Sequence, residues 1–187
     1  MPSPEELHIA LVGLRGAGKS SVGRVLATRL GRRFVDLDDE VAQLARSRGR
    51  LGADEFVGEL LARIGVGEFR ALESEALAVV LQNSEPIVLA SGGGVVEAES
   101  NRKLLIERAW CLWLCAAPEV LAARVQADRN SRPALISGGP LQEAKELLAR
   151  RAVWYRAVAR LEFQCRDLDQ DQVAAGLIRA LGLPQAP

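Results

Sequence analysis

Short apolar runs in this sequence alternate with longer segments in which apolar residues recur every third or fourth position. The short runs span residues 9–12, 34–35, 86–90, 109–115 and 161–165. Such runs are typical of buried strands, and the longer spacing is typical of amphipathic helices. Strands that alternate with helices predict a parallel sheet flanked by helices. We therefore expect a three-layer α/β fold with a five-stranded parallel sheet, whose last strand lies at an edge.

Glycine residues divide the helical segments. Gly31 is expected to end the first helix as a C-terminal cap. Gly65 and Gly67 are expected to separate two helices, whose apolar faces include Phe56 and Val79. After the first helix, the predicted helices cover residues 40–46, 53–64, 68–81, 101–108, 118–124, 141–158 and 169–181.

The connection between the first strand and the first helix carries a phosphate-binding motif. Residues 13–20 read Gly-Leu-Arg-Gly-Ala-Gly-Lys-Ser and match the pattern G-x-x-x-x-G-K-[ST]. Gly13, Gly16 and Gly18 leave room for backbone N–H groups to turn toward a phosphate. Lys19 can reach the β- and γ-phosphates of a nucleotide, and the Ser20 hydroxyl can ligate Mg²⁺. The alternative, an accidental glycine turn, does not explain why a strand precedes the motif and a helix follows it.

Polar residues and glycines follow the second and third predicted strands. Asp36 and Asp38 share one face if the segment is extended, and Gly92, Gly93 and Gly94 follow the third strand. The carboxyl ends of parallel strands border the crevice where ligands bind, so we expect both groups near a ligand. Two alternatives stay open at this stage. Asp38 or the next residue could instead cap a helix, and the glycines could form a plain turn.

Several arginines are candidates for binding anions. Residues 128–140 are polar, contain Arg132 and are bounded by glycines, which predicts a mobile lid that excludes water from phosphoryl transfer. Arg70 and Glu73 lie one helical turn apart and can pair, although an exposed salt bridge on the helix surface is an alternative. Residues 46–50 are basic and are expected to form a solvated turn.

The composition and charge of the chain favour some classes of partner and location over others. The 187 residues have a formal net charge of +0, so no overall field favours nucleic acid or a membrane surface. No apolar run is long enough to span a bilayer, and the acidic, proline-containing start is unlike a signal peptide. We expect a cytoplasmic protein whose partners are small molecules rather than nucleic acid or a membrane.

The histidine and cysteine content argues against some kinds of catalytic and metal site. His8 is the only histidine, which rules out a histidine-dependent triad or a multi-histidine metal site and leaves a structural or surface role. The cysteines, Cys111, Cys115 and Cys165, lack a C-x-x-C pair and are expected to be buried and reduced. Two of the tryptophans, at positions 110 and 113, are expected to pack in the core or at the sheet edge.

Five blocks of this sequence resemble the shikimate kinases, a family of small P-loop kinases. The blocks are residues 13–20, residues 36–38, residues 67–73, residues 92–94, and Arg-Pro-Ala-Leu at 132–135 followed by Arg151 and Tyr155. They occur in the family's order over nearly the whole chain. The resemblance implies a P-loop kinase fold with one domain over residues 1–187 and a core over 7–181. It also implies a substrate-binding helical segment at about 38–81, a lid at about 128–140 and a monomer.

The resemblance implies an activity and a role for each matching residue. The activity is ATP-dependent phosphorylation of the 3-hydroxyl of shikimate, with Mg²⁺ as cofactor. The implied catalytic residues are Lys19, Asp38 and Arg132, with Asp38 as the candidate base. The implied ATP-binding residues are Gly13, Gly16, Ala17, Gly18, Lys19, Ser20, Ser21, Arg124 and Arg132. The implied substrate-binding residues are Asp38, Phe69, Arg70, Glu73, Gly92, Gly93, Gly94 and Arg151. The implied metal ligands are Ser20 and Asp36.

Departures from the family pattern keep two alternatives open. The segment between Asp38 and Arg70 is longer than the family spacing, Arg15 adds a charge to the phosphate loop, and Arg166 is only a weak candidate for contact with adenine. One alternative is a kinase for another small hydroxy acid or polyol. The other is a non-catalytic ligand sensor with the same fold. Such a sensor usually carries a further DNA-binding or partner domain, which we do not expect in a chain of this length.

Overall fold

The computed structural model describes residues 3–127, 135–165, 168–184 and 186. Within these residues, five strands form one sheet in the order β2-β3-β1-β4-β5, and every neighbouring pair is parallel. The strands are β1 (His8–Val12), β2 (Phe34–Asp36), β3 (Val88–Ala90), β4 (Ala109–Cys115) and β5 (Ala159–Gln164). This arrangement confirms the five-stranded parallel sheet predicted from the alternating pattern.

Seven helices flank the sheet in the described part of the chain. They are α1 (Lys19–Leu30), α2 (Leu37–Ser47), α3 (Val57–Leu81), α4 (Glu99–Arg108), α5 (Pro118–Ala127), α6 (Gly139–Val158) and α7 (Gln170–Leu181). A short 3₁₀ helix, Val95–Glu97, follows β3. Helix α1 packs against α7, α2 against α3, and α5 against α6. Among the described helices, none combines the length and the apolar character needed to cross a membrane.

The central strand β1 is buried along its whole length. Its residues pair with β3 on one side and with β4 on the other, so that Ile9 lies between Val88 and Trp110. A side chain such as that of Ile9, buried completely, contributes about 1.5–3 kcal/mol relative to an exposed one. Strand β5 alternates half-buried and exposed residues, as expected for the edge strand. The carboxyl end of β1 therefore lies in the middle of the sheet, where the phosphate loop begins.

The boundaries around α3 differ from the prediction. The helix predicted to start at residue 53 starts at Val57, because the Glu59 carboxylate accepts a hydrogen bond from the Phe56 amide (2.7 Å) and caps it there. Gly65 leaves the helical region, with φ 78° and ψ 168°, but Gly67 stays in the helix. Two helical segments of α3 therefore meet at a kink at Gly65, as predicted for that glycine, whereas Gly67 does not interrupt the helix.

Two further expectations about buried surfaces and strand ends were wrong. Phe56 and Val79 are 61% and 63% exposed, because they lie beside the covered faces of their segments rather than on them. Strand β3 starts at Val88 and not at Pro86, since proline has no N–H to donate to the sheet.

Charged side chains hold the connection between α2 and α3, residues 48–56. Arg48 pairs with Glu75 and Arg50 pairs with Glu68, both on α3. The Glu55 carboxylate accepts hydrogen bonds from the Gly52 amide (2.6 Å) and the Arg63 guanidinium (2.7 Å). Hydrogen bonding to Arg63 lowers the pKa of Glu55 to about 2. The basic run is exposed, as predicted, but it is ion-paired rather than simply solvated.

The singular residues have structural roles. All three cysteines are free thiols; Cys111 and Cys165 are buried, whereas Cys115 is half-buried. Burial raises the pKa of Cys111 to about 12, so its thiol stays protonated. Trp113 packs in the core and stacks on Tyr155, with ring centroids 5.5 Å apart. His8 is buried, and its Nδ1 accepts a hydrogen bond from the Ile87 amide (3.3 Å).

We predict that His8 weakens the protein in mild acid. Burial lowers the pKa of His8 below its usual 6.5, so the unfolded chain takes up a proton at a higher pH than the folded protein does. Stability is therefore lost as the pH falls below 6.5. His8→Asn keeps an acceptor for the Ile87 amide but does not titrate. Melting temperatures measured from pH 7.5 to pH 5.5 should fall less in the variant than in the parent. Equal slopes would contradict the assignment.

Candidate active site

The phosphate loop, residues 13–20, has a backbone that only glycine adopts readily. Gly13, Gly16 and Gly18 have φ values of 140°, 81° and 86°. A Cβ on Gly13 would lie 2.7 Å from the Leu114 carbonyl oxygen, so the loop also packs closely against the end of β4. Gly18 is the N-cap of α1 and no side chain caps that helix. The first amides of α1 are thus available to an anion, which is the arrangement the motif predicts.

Lys19 lies over the loop that precedes it. Its ammonium group donates hydrogen bonds to the carbonyl oxygens of Gly13 (2.8 Å) and Leu14 (2.9 Å). These contacts hold the charge at the centre of the loop, where it neutralises the carbonyl dipoles. The same ammonium lines a cleft of about 520 Å³ above the loop, together with Ser20, Asp38 and Gly92.

Asp36, at the end of β2, joins the phosphate loop to α2. Its Oδ2 accepts a hydrogen bond from the Ser20 hydroxyl (2.6 Å), and its Oδ1 accepts one from the Asp38 amide (3.1 Å). The helix cap is therefore Asp36 rather than Asp38 or the residue after it. Burial raises the pKa of Asp36 most, and the neighbouring Asp38 carboxylate raises it further, while the bond from Ser20 lowers it.

The oxygen atoms of Ser20 and Asp36 suit a hard cation. Hydroxyl and carboxylate oxygens are the ligands that Mg²⁺ prefers, and Mg²⁺ usually keeps several waters and substrate oxygens in its shell. In the described ranges of the chain, no group of three or more histidine, cysteine or acidic side chains could hold a metal without such a substrate. The donor set therefore fits Mg²⁺ bound together with nucleotide phosphates.

The three glycines after β3 lie against groups of this chain itself. A Cβ on Gly92 would lie 2.1 Å from Glu73 Oε1, and one on Gly94 would lie 1.9 Å from Arg70 Nη2. A Cβ on Gly93 would lie 3.3 Å from the Arg15 amide nitrogen in the phosphate loop. The close approach inferred from the glycines is thus real, and on two of them it is made by the Arg70–Glu73 pair. Contact with a ligand stays a prediction for this segment.

The Arg70–Glu73 pair faces inward rather than lying on the exposed surface of α3, and 20% of the Arg70 side chain remains exposed. Glu73 is completely buried, and its Oε2 lies 2.7 Å from Arg70 Nη1. The alternative of an exposed helix salt bridge is therefore wrong. Phe69, also completely buried, lies under the guanidinium, with the Arg70 Cζ 5.8 Å from its ring centroid. A fixed buried glutamate of this kind orients the guanidinium that it contacts.

Glu97, which the sequence did not single out, connects the two candidate acid-binding arginines. Its Oε1 lies 2.7 Å from Arg151 Nη2 and accepts a hydrogen bond from Arg151 Nε (2.8 Å). Its Oε2 lies 3.5 Å from Arg70 Nε. No periodicity or motif marks Glu97, and its position three residues after the glycines is the only signal in the sequence. The structure therefore places the two guanidinium groups on either side of one carboxylate.

Arg151 and Tyr155 attach α6 to the glycine segment. Arg151, which is 3% exposed, donates a hydrogen bond from Nη1 to the Gly93 carbonyl (3.3 Å), and the Tyr155 hydroxyl donates to the same oxygen. A narrow cavity lies between Arg151 and Arg70. Its apolar wall is formed by Leu14, Leu61, Phe69, Leu121, Val125 and Leu147.

The cavity and the phosphate-loop cleft adjoin each other. Arg15 and Gly93 line both of them. The cleft is also lined by residues 55–58, which belong to the long connection after α2 and the start of α3. The candidate phosphate site and the candidate acid site are thus neighbours.

The remaining predicted residues are distributed as follows. Arg124 Nη1 donates a hydrogen bond to the Gly16 carbonyl (3.3 Å), and Ser21 lines the cleft. Ala17, within the loop, is buried. Arg132, with residues 128–134 of the predicted lid, and Arg166 lie outside the described residues. Of the predicted lid, residues 135–140 are described, and the Leu135 amide donates to Glu143 Oε1 (3.0 Å).

Comparison with known proteins shows which proteins this chain is similar to. The family model for shikimate kinase matches residues 15–182. The shikimate kinase of Bordetella avium (strain 197N) is 42% identical over 158 residues, which cover 84% of this chain and 71% of that protein. The shikimate kinase of Rhodopirellula baltica (strain SH1) is 33% identical over 176 residues, covering 92% and 89%. The solved structure of shikimate kinase from Acinetobacter baumannii in complex with shikimate has 31% identity and a TM-score of 0.83, covering 95% of this chain and 94% of that one.

We predict that Gly94→Ala destabilises the protein through Arg70. The backbone of Gly94, at φ −103° and ψ 4°, is open to alanine, so the cost comes from displacing the guanidinium and leaving Glu73 buried without it. Removing the partner of a buried charge costs about 3 kcal/mol, which should lower the melting temperature by several degrees. Gly67→Ala is the control, because nothing lies within 4 Å of its Cβ position and alanine favours a helix. Equal melting temperatures for the two variants would contradict the contact.

Proposed function

The chain belongs to the shikimate kinase family, and from this membership we infer that it transfers the γ-phosphoryl group of ATP to the 3-hydroxyl of shikimate. The product, shikimate 3-phosphate, lies on the route to chorismate and the aromatic amino acids. The observation that carries the substrate assignment is the arrangement of Arg70 and Arg151 on either side of one carboxylate, next to the phosphate loop. Shikimate is a carboxylic acid with three hydroxyl groups, and arginine is suited to bind a carboxylate through two parallel hydrogen bonds.

On the nucleotide side, we assign the phosphates of ATP to the loop amides and to Lys19. The Lys19 ammonium now contacts two loop carbonyls, and a phosphate oxygen is a stronger acceptor for it. Ser20 and Asp36 would hold Mg²⁺, which supplies positive charge to the phosphate oxygens when bound. Asp36 would act in its ionised form, because a protonated carboxyl does not ligate the cation well.

On the substrate side, we assign the attacking hydroxyl to Asp38. This carboxylate lines the same cleft as Lys19 and Gly92, so a hydroxyl bound to it faces the phosphate loop. Asp38 would orient the hydroxyl and accept its proton as the new P–O bond forms and the bond from the γ-phosphorus to the leaving oxygen of ADP breaks. Arg132 is proposed to bring positive charge from the lid. Arg124, beside Gly16, is proposed to contact the nucleotide.

The acid-binding end would be formed by Arg70, Arg151 and the ring of Phe69. Glu73 fixes Arg70, and Gly93 fixes Arg151 through its carbonyl, so both guanidinium groups are oriented before a ligand arrives. Such preorganisation reduces the entropy that is lost on binding. The apolar wall suits the carbon ring of the substrate, and the two charges suit its carboxylate.

A second candidate function is a kinase for a related hydroxy acid. The observation in its favour is that residues 55–58, from the long connection after α2, line the cleft beside Lys19 and Asp38. A longer wall there changes the space available to substrate hydroxyls without changing the phosphate loop. A non-catalytic sensor is less well supported, since the chain keeps Lys19, Ser20, Asp36 and Asp38 together.

A coupled assay of ADP release tests the activity. With ATP and Mg²⁺, we expect turnover with shikimate and little with quinate, gluconate or other hydroxy acids. Lys19→Met should reduce the turnover rate by at least about a hundredfold, because it removes the charge that stabilises the transferring group. Circular dichroism would verify that this variant is folded. Faster turnover with another acid would mean that this acid, and not shikimate, is the substrate. Full activity of Lys19→Met would overturn the assigned phosphate site.

We predict that Arg70→Ala acts on one substrate only. Loss of a bidentate contact to a carboxylate should raise the KM for shikimate by about tenfold to a hundredfold and leave the KM for ATP within about twofold. Arg70→Lys separates charge from geometry, because it keeps the charge and loses the planar fork. Arg179→Ala, an exposed arginine on α7, is the control. A parallel loss of ATP binding would mean that the acid site is wrongly assigned.

The protein is further proposed to be a cytoplasmic monomer. Free cysteines and a need for ATP agree with a reducing, nucleotide-rich compartment. The exposed large apolar side chains of the described residues include Phe56, Ile106 and Val153, which belong to three different elements. Sedimentation velocity over a range of concentrations tests the oligomeric state.

A further inference from the structure

The acid-binding arginines are paired with a carboxylate that belongs to this chain. Glu97 contacts Arg151 through Oε1 and Arg70 through Oε2, at 2.7 Å and 3.5 Å. This is the position that the proposed function gives to the carboxylate of the substrate. Two carboxylates cannot both make these contacts, because each guanidinium N–H that faces Glu97 can point at only one of them.

The charges of the site are balanced while Glu97 is in place. Arg70 and Arg151 supply two positive charges, and Glu73 and Glu97 supply two negative charges. Arg150 adds a positive charge at the rim, 3.9 Å from Glu97, but it is largely exposed and therefore screened. A substrate carboxylate that entered beside Glu97 would meet a like charge. With Glu97 moved away, it would meet the uncompensated charge of one arginine.

Of the two glutamates, only Glu97 is able to leave. Glu73 is completely buried and lies under Gly92, where it has no room to turn. The Glu97 side chain is 23% exposed and stands on the 3₁₀ helix that follows the glycines. Because this side chain already reaches solvent, rotation about its side-chain bonds is the movement by which its carboxylate would leave the arginines.

We propose that Glu97 is an internal competitor for the acid site and thereby a specificity-determining residue. It holds the two guanidinium groups at the spacing of a carboxylate in the ligand-free enzyme, and the substrate's own carboxylate displaces it. This inference rests on the proposed function of Arg70 and Arg151. Its consequence is selectivity for acids, because a neutral polyol that displaced Glu97 would leave the charge of one arginine uncompensated while Glu73 still balanced the other.

The test is a comparison of Glu97→Gln with the parent enzyme. Removing the competing charge should lower the KM for shikimate by about tenfold, with kcat and the KM for ATP within about twofold. Shikimate alone, without nucleotide, should raise the melting temperature of Glu97→Gln more than that of the parent. Glu99→Gln is the matched control, since Glu99 is exposed and pairs only with Lys103 in the described contacts.

A second variant, Glu97→Asp, keeps the test informative if Glu97→Gln does not fold. Glu97→Asp keeps the charge but is one methylene shorter and cannot contact both arginines, so its KM for shikimate should fall between those of the parent and Glu97→Gln. An unchanged or higher KM in the two variants would overturn the inference, because it would mean that Glu97 is neutral toward the substrate or supports the bound state. Arg70→Lys and Arg151→Lys distinguish the deeper failure. If these also leave the KM for shikimate unchanged, the acid site itself is wrongly assigned.

Discussion

The contact between Arg70 and the buried Glu73, beneath a backbone without Cβ atoms, is the constraint on which the rest of the site depends. The pair occupies the space that side chains at Gly92 and Gly94 would fill. Helix α3 therefore approaches the end of β3 more closely than it could if these two positions held residues other than glycine. The pair tolerates little displacement, since the completely buried Glu73 carboxylate needs the Arg70 charge in the absence of water. The pair consequently fixes the position of α3 relative to the sheet. Through Gly93 it also fixes Arg151 and α6.

The phosphate loop contacts the glycine segment after β3 directly, and it is linked to α2 through Asp36. Gly93 lies against the Arg15 amide, and Asp36 joins Ser20 on α1 to the first turn of α2. The same carboxylate serves as a helix cap and as a candidate cation ligand. A group with both roles has little freedom of orientation, which benefits a site that must position two substrates in line. The cost is a carboxylate held where burial disfavours its charge.

The sequence predicted the parts of the molecule that depend on local chemistry. The alternation of strands and helices along the chain, the glycine-containing phosphate loop and the aspartates after the second strand all follow from rules about single residues and short spacings. The start of α3 and the exposure of Phe56 and Val79 did not follow, because periodicity identifies an apolar face but not which neighbour covers it. Glu97 escaped prediction for a related reason. Its partner Arg151 is 54 residues away in sequence, and only the fold brings the two together.

The connection between α2 and α3 gives the cleft two walls of unlike character. The phosphate loop and the glycine segment rest on the apolar sheet, whereas residues 48–56 are held to α3 by exposed pairs such as Arg48–Glu75 and Arg50–Glu68. Dissolved ions weaken attraction between exposed charges over a Debye length of about 8 Å at physiological ionic strength, and they leave apolar packing almost untouched. A high salt concentration therefore weakens the attachment of residues 48–56 to α3 and leaves the packing of the phosphate loop unchanged. The salt tolerance of the enzyme is thus set by the connection between α2 and α3 and not by its nucleotide-binding centre.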